Sequence, residues 1–204
     1  MKPILTIWRE SLLSKSSAHQ KGSSVERSVV FNIPNTISWI RIVVTGFIVF
    51  FLYLEQNFVA LILFLFASIS DYFDGYIARK TGQVTNLGKV LDQMSDKILI
   101  TSVLVVFTEM GLVPGWLVVT MVFRDTLVSV VRIMASEVGR IVAANYFGKL
   151  KTVSQIVLVV GLFLQVLWFP KFETLNSVLV YVTTFFTVIS GIVYVYQNRE
   201  HLNR

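Results

Sequence analysis

The chain has 204 residues, 54% of them hydrophobic and only 15% charged, with a formal net charge of +6 and no cysteine. Soluble domains carry about 25% charged residues, and several apolar stretches here approach the roughly 20 residues that cross a bilayer as a helix, so a soluble globule is excluded in favour of an all-α, polytopic membrane protein. Disulfides and thiolate metal sites are excluded with the missing cysteine, and the basic residues, clustered beside apolar runs, fit topology and anionic headgroups rather than nucleic acid.

Residues 1–31 are a polar N-terminal segment, Ser-rich over 14–28, without the apolar run of a signal peptide. They read either as a short surface-lying helix or as a cytoplasmic tail, ahead of a membrane domain over 32–204. Pro34 and Asn35 punctuate the entry to a first helix over about 36–54, which carries Arg41. The polar break at 55–57 leads to a second helix over about 58–79, and a polar loop over 80–87 leads to a third, over about 88–107. Gly111, Pro114 and Gly115 break the chain before a fourth helix over about 116–135, interrupted by Arg124-Asp125. A polar, basic stretch over 136–151 reads as a loop, followed by helices over about 152–169 and 175–196 with Pro170-Lys171 between them. Nearly all Lys and Arg fall in the N-terminal segment, the 79–89 and 132–151 stretches and the C-terminus. Under the positive-inside rule this predicts six transmembrane helices with both termini cytoplasmic.

The anomaly in this chain is the stretch 71–96, DYFDGYIARKTGQVTNLGKVLDQMSD, which holds Asp71, Asp74, Asp92 and Asp96 between apolar runs. A charge near the bilayer core costs about 2.5–3.5 kcal/mol even on lenient insertion scales, so four carboxylates together need a compensating partner. Asp71 and Asp74 share one helical face, with Gly75 and Ala78 on it, and Asp92 and Asp96 share a face of the next helix. A short connection makes the two helices antiparallel neighbours, so the carboxylates can converge. All-oxygen ligation suits hard divalent cations, and the spacing predicts one or two. A competing structural reading pairs the aspartates with Arg79, Lys80, Lys89 and Lys97 as an interfacial salt-bridge belt. A cation transporter is a further alternative, set against the absence of visible repeat halves or broken helices.

The eight fixed positions Asp71, Asp74, Gly75, Ala78, Arg79, Gly88, Asp92 and Asp96 reproduce the pattern D-x2-D-G-x2-A-R-x8-G-x3-D-x3-D, and the chain thereby resembles the CDP-alcohol phosphotransferase family. That resemblance implies transfer of a phosphatidyl or similar group from a CDP-linked lipid to an alcohol, with release of CMP. It implies two divalent ions, Mg²⁺ or Mn²⁺, on the four aspartates, with Asp96 also the general base, acting mainly by position. Gly75, Ala78, Arg79 and Gly88 would form the CDP pocket. A homodimer in the cell membrane, with its active site facing the cytoplasm, is implied as well.

Cations at intramembrane depth bear on the acceptor: Arg41, Arg124, Arg132, Lys149 and Lys151. Buried cations in excess of carboxylates predict an anionic ligand, and arginine offers a fork for phosphate. Asn32–Arg41 and Gly148–Thr152 resemble the branch of the family in which CDP-diacylglycerol is the donor and sn-glycerol 3-phosphate the acceptor. Gln93-Met94 and Arg124-Asp125 depart from that branch's usual residues, and inositol phosphate, serine and phosphatidylglycerol remain alternative acceptors.

Overall fold

A computed structural model describes residues 33–81, 86–137, 146–168 and 170–197, with side chains for 36–70, 88, 90–132, 146–168 and 171–197. Six α-helices follow one another: α1 (Ile33–Tyr53), α2 (Asn57–Thr81), α3 (Asn86–Glu109), α4 (Gly115–Glu137), α5 (Tyr146–Trp168) and α6 (Glu173–Gln197), with a single 3₁₀ turn at Pro170–Phe172. No strand occurs among the described residues, as the all-α expectation requires. The N-terminal segment 1–31 lies outside them.

Local chemistry explains most of the boundaries. α1 begins at Ile33, earlier than expected, because a proline in the first turn lacks only an N–H that would have had no intrahelical partner. α1 and α3 end alike. The N–H of Gln56 donates to the Phe51 carbonyl at 2.9 Å and that of Glu55 to Leu52 at 3.0 Å, while Leu112 donates to Phe107 at 2.9 Å and Gly111 to Thr108 at 3.0 Å. Both are Schellman closures, with Glu55 at φ 59° and Gly111 at φ 76° in the left-handed position. Glycine takes that conformation freely and glutamate does not.

α5 starts at Tyr146, about six residues before the expected boundary, so Lys149 and Lys151 sit in its first two turns. Lys149 is exposed and Lys151 buried.

Three helices are long and apolar enough to cross a membrane: α1 over Thr36–Tyr53, α5 and α6. α2 is apolar over Asn57–Ser70, before the aspartate motif, and α3 and α4 carry charges along their length. Trp39, Phe47, Phe66, Phe123 and Phe185 are exposed on the outside of the bundle, an exterior suited to hydrocarbon. The interior is centred on Phe64, Phe107 and Phe163, with Phe107 edge-on to Phe163 at 5.0 Å between centroids. The protein is a helical membrane protein.

The antiparallel approach expected of the two motif helices falls on residues 71–87, whose side chains lie outside the described residues. Among the described residues the extensive contacts of α2 and α3 are with α1 rather than with each other. α1 and α3 run parallel, and at their C-terminal ends the Tyr53 hydroxyl donates to Glu109 Oε2 at 2.7 Å. α6 packs against α5 and α4. The α5–α6 seam is close at Gly161, where an added Cβ would fall 2.4 Å from Asn176 Oδ1. Asn176 Nδ2 donates to the Gly161 carbonyl at 2.9 Å, a polar lock of the kind that substitutes for hydrophobic drive between membrane helices.

Candidate active site

Two charged clusters form where α1, α3, α4 and α5 approach one another. The first is built on the opening turns of α3. Asp92, Ser95 and Asp96 fall on one face because they are three and four residues apart, and Arg41 reaches them from α1. Its Nη1 donates to Asp96 Oδ1 at 2.8 Å and to Ser95 Oγ at 3.0 Å, and stands 3.5 Å from Asp92 Oδ1. The arginine side chain is only 1% exposed, whereas both carboxylates are nearly half exposed. A buried guanidinium thus anchors two carboxylates that are themselves only half buried.

The second cluster centres on Asp125 of α4. Lys151 Nζ, from α5, donates to both Asp125 oxygens at 2.7 Å, and Arg124 Nη1 approaches Oδ1 at 3.1 Å. Lys97, next to Asp96 on α3, crosses to α4, donating to the Asp125 backbone carbonyl at 3.1 Å and to the Ser129 hydroxyl. Ser129 in turn donates to the Asp125 carbonyl at 2.8 Å. α5 begins beside Arg124, whose guanidinium lies at van der Waals distance from Gly148.

A cavity of about 170 Å³ joins the two clusters. Asp96 lines it from α3, and Lys97, Arg124, Arg132 and Lys151 line it with positive charge. Chemically, it can receive a small anion among the cations while presenting the anion's remaining groups to a carboxylate.

The expected site residues fall into distinct places. Arg124 and Arg132, eight apart, both reach the cavity, as does Lys151. Lys149 is exposed and is not among its lining residues. Arg41 is a correction to the expected surplus of positive charge: it lies on the motif carboxylates, its charge matched, rather than on the cavity wall. Lys97, which the salt-bridge reading assigned to the motif aspartates, donates among the described residues to α4. Asp71, Asp74, Gly75, Ala78 and Arg79 lie in the C-terminal half of α2, but their side chains are outside the described residues. Gly88 lies in the first turn of α3. Sequence reasoning missed the roles of Lys97, Asp125, Ser129 and Gln155; the spacing of Asp125 to Ser129 and of Lys151 to Gln155, four residues in each case, was the available signal of shared faces.

Asp92 and Asp96 offer hard oxygen donors one helical turn apart, chemistry that fits Mg²⁺ or Mn²⁺. They are only part of the expected ligand set. Among the described residues no group of three or more His, Cys, Asp or Glu side chains is close enough to hold a metal ion.

Comparison with known proteins fits this arrangement. Residues 31–189 match the family model described as CDP-alcohol phosphatidyltransferase, and the chain belongs to that family. Its relatives include the CDP-diacylglycerol–glycerol-3-phosphate 3-phosphatidyltransferase of Bacillus subtilis (strain 168), 40% identical over 142 residues that cover 69% of this chain and 74% of the relative. Proteins of the same name from Shigella flexneri serotype 5b and Escherichia coli (strain K12) are each 32% identical over 183 residues, covering 84% of this chain and 97% of the relative.

Proposed function

We propose that this protein transfers the phosphatidyl group of CDP-diacylglycerol to sn-glycerol 3-phosphate, giving phosphatidylglycerophosphate and CMP. The observation that carries this reading is the cavity in which Asp96 and Asp125 meet four cations, a net positive site that suits an acceptor that is itself a phosphate. The relatives' names support the same donor and acceptor.

In this reading the acceptor's phosphate lies among Lys97, Arg124, Arg132 and Lys151, and its C1 hydroxyl faces Asp96. Arg41, holding Asp96 Oδ1, sets the orientation of that carboxylate. The hydroxyl gives its proton to Asp96 as its oxygen attacks the lipid-side phosphorus in line. The bond from that phosphorus to the oxygen bridging the two phosphates breaks, and CMP leaves. Asp71, Asp74, Asp92 and Asp96 would hold two divalent cations, Mg²⁺ or Mn²⁺, which would supply charge neutralisation at the diphosphate. Gly75, Ala78 and Gly88 make room for the CDP moiety, and Arg79 meets its phosphate. Arg41 and Lys149 act outside the acceptor pocket, the former on the carboxylates and the latter at the membrane interface.

The reading extends to six membrane-crossing helices with both termini and the active site on the cytoplasmic side of the cell membrane, and to a homodimer. The distribution of Lys and Arg supports the orientation; family resemblance supports the dimer. The test is CMP release by the purified protein with CDP-diacylglycerol, Mg²⁺ and a panel of glycerol 3-phosphate, inositol phosphate, serine and phosphatidylglycerol. Release dependent on glycerol 3-phosphate and abolished in Asp92→Asn is expected. No CMP with any acceptor sinks the enzyme reading, and release with another acceptor alone sinks the substrate assignment.

A further inference from the structure

The floor of the cation-lined cavity holds a polar group that the proposed transfer leaves without a task. Gln155 lies on α5 four residues beyond Lys151, about 6 Å further along the helix axis and on the same face. Its neighbours in the lining at that depth are Ile100, Thr101 and Met121. Lys97, Asp125 and Lys151, tied to one another, mark the level above. Gln155 is only 3% exposed, yet among the described residues its amide nitrogen Nε2 has no hydrogen-bond partner. A buried donor left in that state is costly, and it belongs to a residue that lines the cavity, within a side-chain rotation of whatever enters.

We infer that Gln155 reads the secondary hydroxyl of the acceptor, making it a specificity-determining residue for a three-carbon polyol phosphate. This rests on the proposed acceptor site. A neutral amide has no advantage over the four cations in holding phosphate, but it suits a neutral hydroxyl. With the phosphate held at the level of Lys151 and the C1 hydroxyl turned to Asp96, the C2 hydroxyl is the group left to point at the floor. There it accepts a hydrogen bond from Nε2. The site then grips the acceptor at three points: phosphate, reacting hydroxyl and non-reacting hydroxyl. A pocket that hydrogen-bonds a substrate hydroxyl rejects the analogue lacking it, because its own donor is then left unpaired.

The experiment compares kcat/KM for glycerol 3-phosphate and for 3-hydroxypropyl phosphate, which keeps the phosphate and primary hydroxyl but has no C2 hydroxyl. The full-length enzyme and Gln155→Met, a change of similar volume that deletes the donor, are assayed with the same CDP-diacylglycerol. The native enzyme is expected to prefer glycerol 3-phosphate by about tenfold or more, and Gln155→Met to bring the ratio to within about twofold of unity. Loss of folded protein lowers both rates together and leaves the ratio untouched; Gln155→Leu replaces the Met variant should that one fail to purify. An unchanged ratio in an active variant, or a native enzyme that does not distinguish the two acceptors, overturns the inference. Failure of the acceptor assignment itself looks different, since the native enzyme then releases no CMP with either compound.

Discussion

The cluster on α3 and the cluster on α4 are built from the same kinds of group in opposite proportion. On α3 one buried guanidinium, Arg41, serves two half-exposed carboxylates. On α4 one carboxylate, Asp125, 15% exposed, holds Lys151 and Arg124, with Lys97 on its backbone carbonyl and Arg132 on the same cavity wall. Each cluster is partly neutralised from within, which lowers the cost of keeping charge at this depth. Among the described residues the balance leans negative beside α1 and positive beside α5, so one wall suits a metal ion and the other a phosphate. The chemistry belongs where the two walls meet, at Asp96.

The largest expected effect comes from that meeting point. Asp96→Asn keeps the shape but removes the base, and kcat for CMP release should fall by about 10³-fold, measured on protein whose elution and thermal midpoint match the native. The next two variants break the clusters separately. Arg41→Met takes the guanidinium from two half-exposed carboxylates, a smaller loss, whereas Asp125→Asn strands Lys151, 7% exposed, and removing one partner of a buried pair costs about 3–5 kcal/mol. Their rescue should be opposite. Added Mg²⁺ should raise the thermal midpoint of Arg41→Met more than that of the native protein, and added phosphate should do so for Asp125→Asn. Rescue of both by the same ion, or of neither, contradicts the division of labour. Lys151→Met should raise KM for glycerol 3-phosphate by about 10–100-fold, the loss of one hydrogen bond to a charged group, with a smaller change in KM for CDP-diacylglycerol. Gly161→Ala has the smallest effect on chemistry. Its Cβ meets Asn176, so the thermal midpoint should drop while the rate per folded molecule holds.

The helices were legible because apolar runs of bilayer length, punctuated by Pro, Gly and short polar breaks, leave few places for them to end. The motif was legible because its eight positions lie within one stretch of chain. The pairings were not. Arg41 and Asp96 are 55 residues apart, and Asp125 and Lys151 are 26 apart. Whether a buried cation is surplus or matched depends on which helix faces which, and α1 was not expected as the shared packing partner of both motif helices. Gln155 carried no sequence signal beyond its spacing from Lys151, since an uncharged residue in an apolar helix stands out only once a cavity is seen beside it. The start of α5 was placed late for a different reason: polarity distinguishes water from lipid, not loop from helix.

The hydrogen bond from Tyr53 to Glu109 joins the far ends of α1 and α3, while Arg41 and Asp96 join their near ends. Two parallel rods tied at both ends resist sliding and rotation against each other, since either motion breaks a tether. The carboxylate wall is therefore tethered at both ends, while across the cavity the tie between α4 and α5 is the double hydrogen bond from Lys151 to Asp125.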